Sequence, residues 1–141
     1  MDVILYHNPA CETSRNVLAL IRNSGVEPHI IDCLKCPPSR AMAAELARRA
    51  GLTLRQALRQ TDTPYQALGL ANPALGDDAL LDAIAAHPIL LNRPFVATPK
   101  GVRLCRPSEL VIDLLPPQRG ELFKENGERA VDANGRRVAS A

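Results

Sequence analysis

Aromatic residues and long apolar stretches are scarce in this chain of 141 residues. It has two tyrosines, two phenylalanines and no tryptophan, so platforms on which nucleic-acid bases could stack are hard to build. The net charge of +2 is too small to indicate nucleic-acid binding by itself. No stretch approaches the roughly 18 apolar residues of a membrane helix, and the first residues lack the features of a signal peptide. We therefore expect a cytoplasmic protein that binds neither nucleic acid nor membranes.

The four cysteines lie at positions 11, 33, 36 and 105. In a cytoplasmic chain they indicate catalysis, redox chemistry or metal binding rather than a disulfide framework. Cys33 and Cys36 form a C-x-x-C pair directly before two prolines. A structural role, an auxiliary redox role and a metal site stay open for this pair. A structural zinc site needs four ligands, and the sequence has no second knuckle, so no metal is expected.

The order of the predicted elements indicates an α/β fold. Residues 3–6 are β-prone, the apolar residues of 12–23 recur with helical spacing up to an Asn-Ser-Gly stop, and 27–32 resemble a second strand. Residues 38–88 are predicted to be mainly helical, with helices at 39–51 (N-cap Ser39), 53–60 and 77–86. A β-hairpin over 95–105 and a helix over 108–115, with Ser108 as N-cap, follow.

This βαβ…ββα order predicts a thioredoxin-like mixed sheet that carries a mainly helical insertion at about residues 38–88. Residues 1–117 are expected to form a single domain. The polar tail, residues 118–141, contains two Asn-Gly pairs. It either forms a small hairpin or remains mobile, and the sequence does not decide between the two.

Cys11 is the candidate nucleophile, because it lies in the loop that leads into the first helix. Peptide dipoles and free N–H groups at a helix N-terminus favour negative charge, so they lower a thiol pKa and attract oxyanions. His7 could stabilise the thiolate and Ser14 could hydrogen-bond to it. Because Ser14 stands where a dithiol motif has its second cysteine, the second thiol must come from elsewhere. The competing interpretation is that Cys11 is a buried structural cysteine. The polar residues of its loop argue against this, because they are poorly suited to surround a buried side chain.

Five blocks of sequence carry a more specific signal. They are His-Asn-Pro-Ala-Cys at 7–11, Thr-Ser-Arg-Asn at 13–16, His-Pro-Ile-Leu at 87–90, Asn-Arg-Pro at 92–94 and Arg-Leu-Cys-Arg-Pro-Ser at 103–108. Together they closely resemble the glutaredoxin-coupled arsenate reductases, and the resemblance extends from residue 3 to about residue 138. It implies an oxidoreductase with a thioredoxin-like fold that reduces arsenate to arsenite in arsenic detoxification.

The resemblance also implies roles for individual residues. Cys11 would form a covalent cysteine–arsenate intermediate, with His7 and Ser14 tuning the thiolate. Arg59, Arg93 and Arg106 would bind the oxyanion, for which the forked donors of guanidinium groups are well suited. Glutathione would be the cosubstrate and glutaredoxin the partner, with no tightly bound cofactor. The Arg93–Pro94 step before a strand also predicts the cis-proline that thioredoxin-like folds commonly place opposite the cysteine.

Some features depart from this family, and other functions compete. Glu12 stands where the family commonly has glycine, and its carboxylate would repel an arriving anion unless it points outward. A phosphatase-like arsenate reductase would need C-x5-R, but position 17 is valine. A monothiol glutaredoxin explains Cys11 and Ser14 but not the arginines. A regulator that binds RNA polymerase would generally carry a C-x-x-C switch at the first helix.

Overall fold

The computed structural model describes residues 1–138, and their contacts divide the chain into two compact units. The first unit combines Met1–Ile31 with the chain from Arg93 onward, and the second is Asp32–Asn92. The second unit thus contains the whole of the predicted insertion at 38–88. Within residues 1–138 we find no helix with the length and apolar character needed to cross a membrane.

A four-stranded mixed sheet organises the fold. Its strands are β1 (Ile4–His7), β2 (His29–Asp32), β3 (Phe95–Thr98) and β4 (Gly101–Leu104), and their order is β2-β1-β3-β4. β3 runs antiparallel to both β1 and β4. Alternate residues of a strand face one side of a sheet, and the facing pair Leu5 and Val96 is completely buried. The sheet therefore contributes its apolar face to the core of the first unit.

Helix α1 (Glu12–Asn23) covers that core with its apolar stripe. Val17, Leu20 and Ile21 are buried at helical spacing, and the helix packs against a 3₁₀ segment, Ser108–Leu114. The helix ends at Asn23, and Gly25, which follows the C-cap residue Ser24, has a φ of +85° that favours glycine. A side chain there would also collide with the Arg119 guanidinium, because a Cβ would lie 2.1 Å from Arg119 Cζ.

The predicted helix over 108–115 is present as this tighter 3₁₀ segment, but its predicted cap is wrong. Pro107 occupies the N-cap position and makes no side-chain capping bond, while Ser108 is already inside the segment. The Ser108 hydroxyl donates instead to Glu109 Oε1 at 2.9 Å. Proline fixes φ at a value that an N-cap residue can adopt, and the segment begins one residue earlier than a Ser108 cap would imply.

The second unit contains helices α2 (Arg40–Arg49) and α3 (Asp77–Ala86), followed by a 3₁₀ turn, Pro88–Leu90. Ser39 caps α2 as predicted, because its Oγ accepts a hydrogen bond from Met42 N at 3.1 Å. The two helices contact each other, and their buried apolar residues include Ala43, Leu46, Leu80 and Ile84. Arg40 of α2 pairs with Asp82 of α3 on the exposed side of this contact.

The predicted helix over 53–60 is wrong. After one turn the backbone leaves the helical path and pairs with residues 90–92, where Leu58 bridges Leu91. Arg59 N donates to Leu90 O at 2.7 Å, and Asn92 N donates to Ala57 O at 2.8 Å. These long-range bonds satisfy the amide and carbonyl groups that a helix would have paired locally. Leu58 is buried in this arrangement.

Residues 118–138 are part of the first unit and pack against its core. β5 (Leu122–Phe123) pairs antiparallel with β6 (Arg129–Val131), and Gly127 supplies the positive φ of +87° in the turn between them. Ala130 and Val131 of β6 are buried in the same core as α1. The buried Gln118 Nε2 donates to Leu20 O at 3.0 Å, which ties the start of this segment to α1. Of the predicted tail, residues 139–141 lie outside the described residues.

Candidate active site

The loop before α1 sets the position of Cys11. Asn8 turns the chain: its Oδ1 accepts from Ala10 N at 3.0 Å, and its carbonyl accepts from Cys11 N at 3.0 Å. Cys11 is the N-cap residue, with extended φ and ψ of −96° and 121° and no side-chain capping bond. Its thiol is half-buried at the helix start, where unpaired N–H groups favour an anion.

The surroundings of Cys11 lower the pKa of its thiol. Burial opposes ionisation, but it is outweighed by a hydrogen bond from the backbone N–H of Ser14 and by the two guanidiniums of Arg106 and Arg93. Arg106 Nη1 lies 3.6 Å from Cys11 Sγ, so this arginine both donates to the sulfur and attracts its negative charge. Cys11 therefore has the character of an activated nucleophile.

The β3–β4 hairpin brings the two arginines together. Phe95 pairs with Leu104, so Arg93 before β3 and Arg106 after β4 emerge at the same edge of the sheet. Arg106 Nη1 also donates to the Arg93 carbonyl at 3.0 Å, which fixes the guanidinium beside the sulfur. Arg93 itself is buried. The predicted cis bond at Arg93–Pro94 is present, and Arg106–Pro107 is cis as well.

His7 and Ser14 form a buried polar pair beneath the loop. Ser14 is completely buried, its Oγ lies 2.9 Å from His7 Nδ1, and it accepts from Asn8 N at 3.1 Å. The Ser14 hydroxyl thus bonds the loop backbone and the histidine, whereas its backbone N–H stabilises the thiolate. Both residues hold the first turn of α1 against the end of β1. Their predicted role in tuning the thiolate stays a prediction.

Arg59, the third predicted oxyanion ligand, belongs to the second unit. It follows the bridge at Leu58, and its Nε donates to Thr61 O at 3.1 Å. The side chain is half-buried. Its binding of an oxyanion stays a prediction.

Comparison with known proteins identifies the family of this chain. A sequence model described as the ArsC family matches residues 6–114. The chain belongs to the ArsC family. The arsenate reductase of Rhizobium meliloti (strain 1021) is 55% identical over 139 residues, which cover 98% of this chain and 99% of that protein. The arsenate reductase of Escherichia coli (strain K12) is 51% identical over 138 residues, covering 97% and 98% of the two chains.

Solved structures of the ArsC family show the same fold. The structure of an arsenate reductase from Vibrio cholerae has a TM-score of 0.78 and 40% identity, and it covers 82% of this chain and 98% of its own. The predicted thioredoxin-like fold with a mixed sheet is confirmed. The family resemblance inferred from the five sequence blocks is confirmed as well.

Two residues of the first turn of α1 complete the surroundings of Cys11 in this family member. Glu12 is exposed, and its charge favours the protonated state of the neighbouring Arg15. The sequence pattern assigns no role to Arg15, although it lies in the Thr-Ser-Arg-Asn block at 13–16. Its Nη1 donates to the Pro9 carbonyl of the active-site loop at 2.8 Å, and its pKa is raised, chiefly by a hydrogen bond to Glu125 and in part by the charge of Cys11.

The other cysteines lie in different surroundings. Cys105 is completely buried, and burial raises the pKa of its thiol to about 12. Cys33 is buried and Cys36 is exposed, and both lie near the start of the second unit. In the part of the chain from 1 to 138, no three His, Cys, Asp or Glu side chains are grouped in a way that could hold a metal ion. Cys11 is thus distinguished by electrostatics, not by exposure alone.

We expect alkylation to distinguish these thiols. Iodoacetamide reacts with thiolates, so at pH 7 Cys11 should react at least about tenfold faster than Cys105, whose pKa of about 12 leaves almost no thiolate. Peptide mass spectrometry after short exposures measures each cysteine separately. As pH falls, the Cys11 rate should persist to a lower pH than that of an ordinary thiol. A Cys11 rate that falls off only in the alkaline range would contradict the lowered pKa.

Proposed function

We propose that this chain reduces arsenate to arsenite through a covalent intermediate on Cys11. The observation that supports it most directly is the contact between Arg106 Nη1 and Cys11 Sγ at 3.6 Å, on a thiol whose pKa is lowered. Arsenate carries one to two negative charges at neutral pH, so a thiolate that attacks it meets repulsion. Guanidiniums beside the sulfur can neutralise the oxygens and leave the arsenic atom open to attack.

The first step is nucleophilic attack of the Cys11 thiolate on arsenic. An S–As bond forms, and an arsenate oxygen leaves as hydroxide or, once protonated, as water. Arg106 and Arg93 are the groups we assign to the charge that builds up on the remaining oxygens. Arg59 is proposed as the third oxyanion ligand, because it matches the family's third arginine in sequence. His7 and Ser14 are proposed to tune the thiolate through the first turn of α1, where Ser14 supplies a backbone N–H.

The reduction itself needs a second thiol. Arsenic(V) takes up two electrons, one from Cys11 sulfur and one from an incoming thiol, and the two sulfurs end joined as a disulfide while arsenite is released. Ser14 at the i+3 position cannot serve as that thiol. We propose that glutathione does, as a cosubstrate without a tightly held cofactor, and that glutaredoxin then reduces the mixed disulfide on Cys11. All four cysteines are free thiols, which suits a reducing cytoplasm.

A coupled assay tests the proposed function. The chain is mixed with glutathione, glutaredoxin, glutathione reductase and NADPH, and absorbance of NADPH is followed with and without arsenate. We expect NADPH oxidation that depends on arsenate and is absent when phosphate replaces it. The rate should fall to background when either glutathione or glutaredoxin is omitted.

Two results of this assay would contradict the proposal, one for the reaction and one for the electron donor. NADPH oxidation without any dependence on arsenate would reject arsenate reduction and favour a general monothiol oxidoreductase, which the C-x-x-S arrangement also allows. Arsenate-dependent turnover that persists with another thiol reductant, but not with glutathione, would retain the reaction and reject the proposed donor. In that case Cys33 and Cys36 become the first candidates for an internal second thiol.

A further inference from the structure

Arg15 connects the active-site loop to the C-terminal hairpin formed by β5, β6 and the turn between them. Its Nε and Nη2 donate to the two carboxylate oxygens of Glu125 at 2.7 and 2.9 Å. Its Nη1 donates to the carbonyl of Pro9 at 2.8 Å, two residues before Cys11. Glu125 also donates its backbone N–H to Asn16 Oδ1 at 3.1 Å. Both partners of the ion pair are therefore fixed by more than one bond.

The position of Arg15 on the helix needs an explanation. A cation in the first turn of a helix faces the positive end of the helix dipole, so this placement does not favour the helix itself. Arg22 provides the contrast, because it lies in the last turn of α1, where the dipole favours it, and makes a similar bidentate pair with Glu27. The bond from Arg15 to the Pro9 carbonyl is the feature that the Arg22 pair lacks.

The hairpin that carries Glu125 is itself anchored. Lys124, the preceding residue, pairs with Glu109 at 3.0 Å, and both side chains are shielded, with relative exposures of 16% and 13%. Ala130 and Val131 of β6 lie in the core beside α1. Glu125 thus projects from a hairpin that is anchored on both strands, as a residue that holds another side chain in place requires.

From this geometry we propose that Glu125 is a positioning residue for the active site, which acts through Arg15. Glu125 orients the guanidinium, the guanidinium holds the Pro9 carbonyl, and the loop of residues 8–11 keeps Cys11 Sγ in line with Arg106. The C-terminal hairpin then contributes to the geometry of the active site. This inference rests on the proposed role of Cys11 as the nucleophile, but the properties that it predicts belong to the thiol and need no arsenate.

The direction in which Glu125→Gln changes the rate of Cys11 alkylation distinguishes a positioning role from a purely electrostatic one. The charged groups that act on Cys11 and Arg15 include Arg93, Arg106, Glu12 and Glu125, and the titratable His7 ring lies beneath the same loop, beside Ser14. If Glu125 acted only as a nearby negative charge, Glu125→Gln would make thiolate formation easier and speed up alkylation of Cys11. If it positions the loop, the same change loosens the contacts of the sulfur with Ser14 N–H and Arg106, and alkylation slows.

The experiment compares E125Q with E27Q, which neutralises the bidentate partner of Arg22 on α1. Alkylation of Cys11 by iodoacetamide is followed from pH 5 to 10 by peptide mass spectrometry on the intact folded chain. We expect E125Q to shift the midpoint of the Cys11 titration upward by about half a pH unit to one pH unit, which slows alkylation about three- to tenfold at pH values below that midpoint. E27Q should match the unsubstituted chain. Thermal unfolding of both variants controls for general loss of stability.

Arg15→Lys and the double variant R15K/E125Q complete the test. Lysine keeps the charge but cannot reach Glu125 and the Pro9 carbonyl with one rigid fork, so R15K should shift the titration in the same direction. The double variant should be no worse than the more affected single variant, because both changes break one chain of contacts. The proposal is overturned if E125Q behaves like E27Q or alkylates faster than the unsubstituted chain, or if the two shifts add. Loss of arsenate turnover with an unchanged titration would also overturn it.

Discussion

Cys11→Ser is expected to abolish arsenate reduction while leaving the fold intact. A serine hydroxyl stays protonated near neutral pH, so the variant has no anionic nucleophile at this position, and loss of a nucleophile typically lowers kcat by about 10⁴-fold or more. The coupled assay with glutathione and glutaredoxin measures the loss. Thermal unfolding should show little change, since serine is close in size and is a favourable N-cap residue where the Cys11 side chain makes no capping bond.

Cys36→Ser is the matched control for this substitution. Cys36 is the exposed member of the C-x-x-C pair, whereas the Cys11 thiol lies beside the Arg106 guanidinium. The control should keep most of its activity. If C11S retained more than a small fraction of the rate, Cys11 would not be the nucleophile. If C36S lost activity as severely, the second thiol would be internal and the proposed role of glutathione would need revision.

The elements that are encoded by the pattern of neighbouring residues can be predicted from the sequence. The first strand, predicted at 3–6, is Ile4–His7, and the first helix is Glu12–Asn23. Both are encoded by neighbouring residues: a β-prone run, apolar positions at helical spacing and a glycine whose positive φ ends the helix. The hairpin at 95–105 is predictable for the same reason, because its two strands are joined by a short turn.

The helix predicted over 53–60 is wrong because the backbone of this segment pairs with distant residues. The sequence of 53–60 has helical character over one turn, but the amide of Arg59 bonds to Leu90 and the carbonyl of Ala57 bonds to Asn92. Nothing in the local pattern reveals this partner, which lies about thirty residues away. The buried side chain of Leu58 makes the bridged conformation favourable, and local propensity gives way to it.

In the candidate site, too, the features encoded by local sequence are predictable and those that depend on distant contacts are not. The position of Cys11 at a helix start is a local feature, and the convergence of Arg93 and Arg106 can be derived from the hairpin, since Phe95 pairs with Leu104. The pairing of Arg15 with Glu125 spans 110 residues and belongs to no repeating pattern, so sequence reasoning missed it. The role of Ser14 also depends on atomic detail, because its hydroxyl faces His7 while its amide contacts the thiolate.

Arg106→Lys is expected to lower kcat/KM for arsenate by about 10²- to 10³-fold. In the structure one nitrogen, Arg106 Nη1, contacts both Cys11 Sγ at 3.6 Å and the Arg93 carbonyl at 3.0 Å. Lysine keeps a positive charge but has neither the planar fork nor the reach to hold sulfur, carbonyl and an arsenate oxygen together. The loss of kcat/KM therefore measures the contribution of the oriented guanidinium donors, because the positive charge is kept.

The same substitution should change the pH dependence in a defined direction. Arg106 lowers the pKa of the Cys11 thiol by donating a hydrogen bond and by its charge, so its removal raises that pKa. The acid limb of the rate–pH profile should move to higher pH in Arg106→Lys, and further in Arg106→Ala, which also removes the charge. Iodoacetamide titration of Cys11 should show the same order without any arsenate present.

Arg103→Lys is the matched control, because Arg103 lies on β4 only three residues earlier and is also hydrogen-bonded. Its guanidinium faces away from the sulfur, toward the Leu110 carbonyl at 2.9 Å and Asp113 at 3.2 Å. R103K should leave the Cys11 titration unchanged and keep kcat/KM within about twofold, as expected for an exposed surface pair. Should R106K resemble R103K in both measurements, Arg106 would stabilise neither the thiolate nor the transition state. A shifted titration with an unchanged kcat/KM would leave Arg106 as a thiolate partner only and would assign oxyanion binding to Arg93 and Arg59.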